Sequence, residues 1–582
     1  MIIVFGGTTE GRKAVEVLEE AGQSYFYSTK TGEQDITLHH GQHIHGALDE
    51  EAMRTFCHER GVQLMVDAAH PFAVQLHQTI ASVAAALSIP AIRYERIYPP
   101  RDACITWIDD YSQVPRDIHS LLATTGVQSI AKLKPLEAAG ISIHYRILNR
   151  QSSLALALKQ GVGEEQLCYY DDPKHIPVQT EAILLKESGL SGGFSEKVAA
   201  AQAQGLRIIA LKRPKLPEQF TVVNGPYGLR RTIEKLLPDF YPLHSGLTTG
   251  TCATAAAIAQ TLRLLKNRTP AEVPVTLPNG ETITVPVGFA DAYAYCIKHA
   301  GSDPDVTDGL EIRAQVEPSG HFEILAGEGV GTFTLPGFDY PPGSPAINKA
   351  PREMIQNNLS RLLSLTPPPL KVTISVPQGA EIARRTFNPR LGIEGGISII
   401  GVSGIVKPFS EEAFIDSIRK CMTVAKASGA DRVVINSGGK SERFVRALYP
   451  HLPRQAFVEY GNYIGATLKI ADELGIKHVT LGVMLGKAVK LAAGHLDTHS
   501  RKAVMDKTFI MQLLAEANCP MVTRQTVDAL TLARELWDKI PTEKHQDFAA
   551  TVIRHCAKHC RPLLPHGTLT ILLIDDDGHI YQ

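Results

Sequence analysis

The stretch MIIVFGGTTEG (residues 1–11) opens the sequence and decides how its first half is interpreted. An apolar run, Ile2–Phe5, leads directly into a turn rich in glycine, and an amphipathic segment follows. Glycines let the backbone approach a phosphate, and free N–H groups at a helix start favour an anion. The stretch therefore predicts a strand, an anion-binding turn and a helix, although a tight turn without a ligand is the alternative. The candidate cofactor ligands are Gly6, Gly7, Thr8, Thr9, Glu10 and Gly11.

The same alternation of apolar runs and amphipathic stretches continues to about residue 213. Helices are predicted over 11–21 and 74–87, where apolar residues recur three and four apart. Strands are predicted at 2–5, 25–27, 64–68, 92–94, 183–186 and 208–211, and another opens near Leu121. Strands that alternate with helices favour parallel sheets. We therefore expect an α/β fold that begins with two Rossmann-like lobes separated by a cleft.

The pattern of apolar and polar residues changes after LPDFYP (237–242). This segment carries two prolines and predicts the main domain boundary. We expect domains at 1–240 and 241–582. Short strands between about 273 and 376 predict an α+β part over 241–405. The helix–strand alternation then returns, with helices at 411–428 and 460–474 and strands at 432–436 and 478–485. It predicts a further Rossmann-like lobe over 406–582.

Composition excludes several classes of partner. The 582 residues carry 59 Lys and Arg against 60 Asp and Glu, a balance that argues against nucleic acid and against a membrane surface. No apolar run approaches the ~18–20 residues that span a bilayer. The nine cysteines are mostly scattered, which favours a reduced, cytoplasmic protein. Self-association as a homo-oligomer stays open.

Chemistry in the first half centres on the ends of predicted strands. His70, in DAAHPFA (67–73), is the candidate catalytic residue, and capping of the next helix is the alternative. Hydroxyls and a cation follow the second strand, at Ser28, Thr29 and Lys30; they suit the 2′-phosphate of NADPH better than the diol of NADH. Loop residues that suit substrate carboxylates are Lys186, Ser188 and Gly189.

Four stretches together resemble the precorrin-6A reductase family in its cobalt-handling form. They are GGTTEG (6–11), DAAHPFA (67–73), IPAIRYER (89–96) and the segment from LLKESGLSGG to EKVAAA (184–201). The resemblance covers nearly all of residues 1–240. It implies hydride transfer from NADPH or NADH to a double bond of a methylated tetrapyrrole. His70 or an ordered water would then supply the proton.

The second half opens with GLTTGTCATAAA (246–257), whose threonines predict a capped helix start suited to a carboxylate. Later loops embed arginines, which suit carboxylates. VVINSGGK (433–440) predicts a nucleoside-binding turn, and AGHLDTHSR (493–501) supplies polar groups for substrate or cofactor. The candidate substrate ligands are Thr248, Thr249, Thr251, Arg352, Asn388, Arg390 and His495; the candidate cofactor ligands are Ser437, Gly438 and Gly439; and His499 is the candidate catalytic residue.

From about Leu243 onward, the chain resembles the cobalt-precorrin-5B C1-methyltransferase family. The resemblance rests on TTGTCATAAA, DPDVTDG, TFNPRLGIEGGIS and KLAAGHLDTHSR. It implies S-adenosylmethionine as cofactor and a small cobalt-corrinoid as substrate. The two resemblances describe consecutive steps, which predicts a bifunctional enzyme. The cobalt belongs to the substrate, so we expect no protein metal site; His555–Cys560, with paired His and Cys spacing, is the alternative.

Two other functions fit parts of the sequence. A non-catalytic cobalt-corrinoid carrier would bind the ring without turnover. A generic NADP-dependent dehydrogenase fused to a binding module would reduce simple carbonyl compounds and would not respond to S-adenosylmethionine.

Overall fold

The computed structural model describes residues 1–30, 32, 35–500 and 502–582. Two units emerge. One comprises Met1–Ser245 with Pro274–Thr284, and the other Gly246–Val273 with Val285–Gln582. The first unit is therefore discontinuous in sequence.

The first unit is built from parallel strands and amphipathic helices. Its strands are β1 (Ile2–Phe5), β2 (Tyr25–Thr29), β3 (Gly41–His45), β4 (Leu64–Asp67), β5 (Ala91–Tyr94), β6 (Thr106–Ile108), β7 (Ser120–Ala123), β8 (Ser142–Leu148), β9 (Leu167–Tyr170), β10 (Ala182–Lys186), β11 (Arg207–Leu211) and β12 (Phe220–Val223). Its helices are α1 (Thr9–Glu19), α2 (Glu50–Glu59), α3 (Val74–Leu87), α4 (Ile130–Ala138), α5 (Gln151–Lys159), α6 (Phe194–Ala203) and α7 (Pro226–Leu236).

These strands form two six-stranded parallel sheets, ordered β12-β5-β4-β1-β2-β3 and β6-β11-β10-β7-β8-β9. Buried β-branched and aromatic side chains line both faces of the central strands, as parallel sheets require. The predicted parallel α/β character of the N-terminal part is confirmed. The strands β3, β6, β8, β9 and β12 were not predicted. Of these, β12 comes last in the chain, after the whole second sheet, yet it completes the first sheet beside β5.

Next in sequence come β13 (Gly246–Leu247) and α8 (Thr249–Lys266), and then a hairpin of β14 (Glu272–Thr276) and β15 (Thr282–Pro286). Its tip, Pro274–Thr284, groups with the first unit. There the buried Glu281 carboxylate accepts hydrogen bonds from the backbone N–H groups of Tyr227 and Gly228, both at 3.1 Å. These N–H groups lie in the first turn of α7, so Glu281 satisfies donors that a helix start leaves open.

The second unit has two parts in sequence order, each with its own five-stranded sheet. The strands of its first part are β16 (Gly288–Phe289), β17 (Ala294–Ile297), β18 (Glu311–Pro318), β19 (Glu323–Ala326), β20 (Thr332–Phe333), β21 (Leu370–Ser375), β22 (Ile393–Glu394) and β23 (Ile405–Val406), and its helices are α9 (Lys349–Leu363), α10 (Gly379–Ile382) and α11 (Asn388–Leu391). A mainly antiparallel sheet, ordered β16-β17-β18-β21-β19, contacts α8.

The last part is a mainly parallel sheet, ordered β25-β24-β26-β27-β28. Its strands are β24 (Arg432–Asn436), β25 (Phe457–Glu459), β26 (His478–Met484), β27 (Thr568–Ile574) and β28 (Ile580–Tyr581). Its helices are α12 (Glu411–Ala427), α13 (Gly439–Leu448), α14 (Ile464–Glu473), α15 (Leu485–Ala492), α16 (Lys507–Glu516), α17 (Arg524–Asp528), α18 (Leu536–Lys539) and α19 (His545–Cys560).

One expectation for this unit was wrong. The stretch 273–376 was expected to hold short strands and turns, but it contains the fifteen-residue helix α9. The start of this helix resembles a loop in sequence, because Asn348 and Pro351 are residue types that are common in turns. In the structure Asn348 directly precedes the helix and Pro351 lies in its first turn, where a missing N–H costs nothing.

Candidate active sites

The first unit has a cationic cleft formed at the carboxyl ends of its strands. Two adjoining cavities, of about 350 and 530 Å³, lie there. They share His70 after β4, Arg96 after β5, Thr124 after β7 and Lys197 on α6. Carboxyl ends of parallel strands are where α/β sheets bind ligands.

Two lysines in this cleft, Lys186 and Lys197, are partly buried, and burial lowers the pKa of each. Burial, reinforced by the charge of Lys132, lowers the pKa of Lys186 to about 8. Burial, with the charges of Arg146 and Arg96, likewise lowers the pKa of Lys197 to about 8. The Lys186 ammonium lies 5.1 Å from the Phe72 ring centroid and donates no hydrogen bond to any described residue.

Arginines complete the positive surface. Arg146 is buried, and its Nε and Nη1 atoms find no hydrogen-bond partner within the described residues. Unpaired buried donors are rare in folded proteins, and here they border a cavity. Arg96 is already engaged, since its Nε lies 2.9 Å from Glu10 and its Nη1 donates to the Ser188 carbonyl at 2.8 Å. Arg146 Nη2 pairs with Asp171 at 3.2 Å, and Lys197 donates to the Gly192 carbonyl at 3.0 Å. The cleft can therefore bind an anion through the remaining donors of Arg146, Lys186 and Lys197.

His70 lines both cavities, and its ring keeps some contact with solvent although protein atoms surround most of it. Its Nδ1 accepts a hydrogen bond from the Phe72 backbone N–H at 3.2 Å, so the ring proton resides on Nε2. Desolvation within the cleft and the charges of Arg96 and Lys186 lower the pKa of His70 to about 3. The imidazole is thus neutral at physiological pH and offers an N–H donor rather than an acidic proton.

The glycine turn after β1 is shaped by Tyr27. A Cβ on Gly6 would lie 2.2 Å from the Tyr27 hydroxyl, which also accepts a hydrogen bond from the Gly7 N–H at 3.0 Å. At Gly7, with φ +88°, no described atom would lie within 4 Å of an added Cβ. The turn is therefore open on the Gly7 side.

Other residues expected to bind cofactor around this turn have structural partners. Thr8 caps α1 by accepting from the Gly11 N–H at 3.0 Å, and its hydroxyl donates to the Ala68 carbonyl at 2.6 Å. Thr9 begins the helix, and Glu10 hydrogen-bonds the Ser191 hydroxyl besides pairing with Arg96. The capping role of Thr8 follows from its position before the helix.

Ser28 and Thr29 are buried at the end of β2, and Lys30 is exposed beyond them. The Thr29 hydroxyl lies 2.8 Å from His43 Nε2, on the neighbouring strand β3. Sequence reasoning missed His43, because only the strand pairing brings it beside Thr29. The next residues, Thr31, Glu33 and Gln34, lie outside the described part of the chain.

A buried ionic network lies beneath the loop that carries His70. Asp67 contacts Arg93 Nη1 at 2.8 Å and His77 Nδ1 at 2.6 Å, and Arg93 also pairs with Glu95. His77 Nε2 lies 3.3 Å from the Pro71 carbonyl. Sequence reasoning missed this network too, since its members come from three separate elements.

The second unit has a larger cavity, of about 920 Å³, at the carboxyl ends of β24, β26 and β27. Ser437, Met484 and Ile574 line it at the strand ends. Its charged and polar lining groups include Lys440, which pairs with Asp576 at 2.9 Å, and also Lys487, Lys490, Lys507, Arg534, Asn462, Thr498 and His499; its apolar groups include Val504, Met505, Leu530, Leu532 and Trp537. A lining that combines apolar groups with an excess of cations suits an anionic molecule with a large apolar surface.

The turn after β24 adjoins this cavity. The Asn436 side chain accepts a hydrogen bond from the Gly438 N–H at 3.0 Å, and the Ser441 hydroxyl accepts from the Ser437 N–H at 3.1 Å. Gly438 has φ +130°, and α13 begins at Gly439. This is a strand, glycine turn and helix of the kind that binds nucleotides.

Of the candidates in the second half, Ser437 and His499 line the cavity. The threonines, the arginines and Asn388 are engaged within the protein. Thr251 donates to the Gly404 carbonyl at 2.6 Å, Arg352 Nε donates to the Ile347 carbonyl at 2.8 Å, and Arg390 pairs with Glu442 at 2.9 Å. Further hydrogen bonds join Thr248 to Thr251, Thr249 to Ile400, and Asn388 to Gly396 and Ser398. His495, by contrast, is exposed. Arg501 lies outside the described residues.

Comparison with known proteins assigns both halves. Residues 239–408 match the family described as CbiD, and residues 497–582 match its C-terminal domain. The cobalt-precorrin-5B C(1)-methyltransferase of Prosthecochloris aestuarii is 42% identical over 352 residues, which cover 58% of this chain and 95% of the relative. The chain belongs to the cobalt-precorrin-5B C(1)-methyltransferase family. The Geobacillus kaustophilus member is 39% identical, covering 56% of this chain and 91% of its own.

Residues 1–227 match the family described as precorrin-6x reductase CbiJ/CobK. Among solved structures, one described as CobK precorrin-6A reductase matches 40% of this chain and 97% of its own, with 19% identity and a TM-score of 0.33. The Archaeoglobus fulgidus CbiD structure matches 45% and 83%, with 28% identity and a TM-score of 0.26. Both family resemblances seen in the sequence are confirmed, and the chain combines a methyltransferase with a reductase.

The cationic cleft therefore belongs to the reductase unit and the larger cavity to the methyltransferase unit. In the described part of the methyltransferase, no helix is long and apolar enough to cross a membrane, and the same holds for the described reductase residues. No group of three or more His, Cys, Asp or Glu side chains gathers as a metal site among the residues described. Cys556 and Cys560 are fully buried, and the Cys556 thiol contacts the Ala488 carbonyl at 3.3 Å.

Proposed function

We propose that the chain catalyses two consecutive steps of corrin-ring synthesis. The methyltransferase unit would transfer a methyl group from S-adenosylmethionine to C1 of cobalt-precorrin-5B. The reductase unit would then reduce the product, cobalt-precorrin-6A, to cobalt-precorrin-6B with NADPH or NADH. The observation that carries the proposal is that each family-assigned half has its own cavity at the carboxyl ends of parallel strands. We assign the reductase to residues 1–240 and the methyltransferase to 241–582, in a cytoplasmic protein.

In the reductase, the residues fit an anionic ring and a dinucleotide. The turn that is open at Gly7 suits a pyrophosphate, and Lys30 beyond Ser28 and Thr29 favours NADPH. The unpaired donors of Arg146 suit a carboxylate arm of the substrate. A bound nicotinamide supplies the hydride.

The chain itself must then hold the ring and provide a proton. Neutral His70 would orient the substrate through its Nε2–H. Lys186 is the better acid, because its pKa of about 8 matches the working pH and its ammonium is not hydrogen-bonded to any described residue. Lys197 would neutralise a second carboxylate.

In the methyltransferase, the turn at Ser437–Gly439 suits the nucleoside of S-adenosylmethionine, which supplies an electrophilic methyl group. The remaining task is positioning, with the reacting atoms about 3–3.5 Å apart. Lys487 and Lys490 would hold carboxylate arms, the wall around Trp537 would contact the ring, and His499 would orient the reacting carbon.

The test is anaerobic incubation of the pure protein with cobalt-precorrin-5B, adding S-adenosylmethionine alone, NADPH alone, or both, with mass spectrometry of the product. We expect one added methyl with the first cofactor and two further hydrogens only with both. Binding of the corrinoid without any mass change would instead support a carrier.

A further inference from the structure

Glu459 ends strand β25 beside the glycine turn of the methyltransferase unit. Strands β24 and β25 are parallel neighbours, and Asn436 lies opposite Glu459 in the register. Both strands therefore end at the same edge of the sheet. The turn Ser437–Gly439 and the Glu459 residue are therefore neighbours at that edge.

The two groups approach each other closely. A Cβ added to Gly438 would lie 3.2 Å from Glu459 Oε1. Gly438 also has φ +130°, a conformation that other residues rarely adopt. Glycine at this position thus keeps open the space between the turn and the carboxylate.

The Glu459 carboxylate, unlike its neighbours, takes part in no hydrogen bond with the described residues, although its charge partly offsets the lowering of the Lys487 pKa by burial. The Asn436 side chain accepts from Gly438, the Ser441 hydroxyl accepts from Ser437, and the Lys487 ammonium donates to the Gly461 carbonyl. Half-buried Glu459 accepts no hydrogen bond and forms no ion pair with any described residue. A carboxylate held in this way is available to a ligand that carries hydroxyl donors.

We infer that Glu459 binds the ribose hydroxyls of the adenosyl group. In folds that bind a nucleotide at a strand, glycine turn and helix, an acid about 20 residues further on accepts hydrogen bonds from the ribose. Glu459 stands at that distance from Gly438 and at the end of the adjacent strand. Two carboxylate oxygens match the two hydroxyls of a vicinal diol. This inference rests on the proposed assignment of S-adenosylmethionine to this lobe.

The experiment is calorimetric titration of the full chain with S-adenosylhomocysteine and with its 2′-deoxyribose analogue. Wild type should bind the ribose compound at least ten-fold more tightly than the analogue. E459Q should lose at least ten-fold in affinity for the ribose compound and most of the preference between the two. E473Q is the matched control, since Glu473 is exposed on α14 and pairs with Arg419; its affinities should equal those of wild type.

E459D gives a second test. It keeps the negative charge, but the side chain is one methylene shorter, so the carboxylate lies further from the ribose. This variant should also lose the preference for the ribose compound over its 2′-deoxyribose analogue. Unchanged affinity and preference in a folded E459Q and E459D would overturn the inference while leaving the methyl-transfer proposal intact. Absence of binding to wild type would overturn it as well. The mass-spectrometric assay reports separately on whether methyl transfer occurs, so the two failures are distinguishable.

Discussion

The Nδ1 atom of His77 lies 2.6 Å from Oδ2 of Asp67, and the two side chains are only 3% and 0% exposed. Arg93 holds the other carboxylate oxygen. Although burial alone would raise the pKa of Asp67, the His77 hydrogen bond and the Arg93 charge outweigh it and hold that pKa below its ordinary value. Asp67 therefore stays ionised at neutral pH, and its contribution to stability is lost progressively as the pH falls from the unfolded-chain value of about 3.9 through this lowered pKa.

Removing the Arg93 charge should strongly destabilise the reductase unit. R93M leaves two buried carboxylates without their cation, and breaking a buried pair costs about 3–5 kcal/mol. The sequence has two tryptophans, Trp107 and Trp537, so W537F makes Trp107 fluorescence report on this unit during urea unfolding. In the same background, R207M breaks the exposed pair with Asp117 and should cost no more than about 1 kcal/mol. Equal effects of the two variants would contradict a buried ionic role for Arg93.

His70 should make reductase stability depend on pH. Its pKa in the folded protein, about 3, lies below the value of about 6.5 expected for the unfolded chain. Between these values the unfolded chain binds the proton more readily, so stability rises with pH across this window. In H70Q this component disappears. The urea midpoint, followed by Trp107 at pH 5 and 7.5, should shift more in the wild type than in the variant; parallel shifts would refute the low pKa.

Lys197 should give substrate binding an alkaline limit. As the pH rises through about 8 its ammonium loses its charge, and the cleft then holds carboxylates less well. We expect KM for cobalt-precorrin-6A to rise several-fold between pH 7 and 9. In K197R the guanidinium stays charged, so the rise should be smaller. Steady-state NADPH oxidation measures this, and a flat wild-type KM would rule out a carboxylate contact.

Lys186 should affect turnover more than binding. A positioned acid contributes about 10²–10⁴-fold. K186R keeps the charge but cannot give up its proton, so kcat should fall by about that factor with little change in KM. Stopped-flow single turnover with excess enzyme isolates the chemical step. If K186R raised KM and left kcat unchanged, Lys186 would be a binding residue only.

His499 should serve methyl transfer alone. It lines the cavity of the methyltransferase unit, whereas the exposed His495 does not. H499Q should slow methylation of cobalt-precorrin-5B by about 10²-fold or more if the ring orients the reacting carbon. Reduction of supplied cobalt-precorrin-6A should be unaffected. H495Q is the matched control, and a similar loss in both variants would show that the loop, and not His499, is what matters.

Local signals in the sequence were sufficient for the central strands of the first unit, but not for β3, β6, β8, β9 and β12, which were not predicted. Runs such as Ile2–Phe5 and Leu64–Asp67 are apolar because both faces of a parallel sheet are buried. The candidate site was harder to predict. Arg352 has the right chemistry for a carboxylate, yet its guanidinium donates to two backbone carbonyls. Residue type reveals what a side chain can bind, but its actual partners depend on distant segments.

Strand β12 is synthesised after the whole second sheet, and this order has a consequence for the nascent chain. While the ribosome makes the segment from Tyr94 to Phe220, the outer edge of β5 has no partner. At about 5–20 residues per second, this interval is on the order of 10 s. An unpaired strand edge is a template for wrong pairing with another chain. Translation speed and chaperone supply should therefore affect how much correctly paired protein a cell obtains.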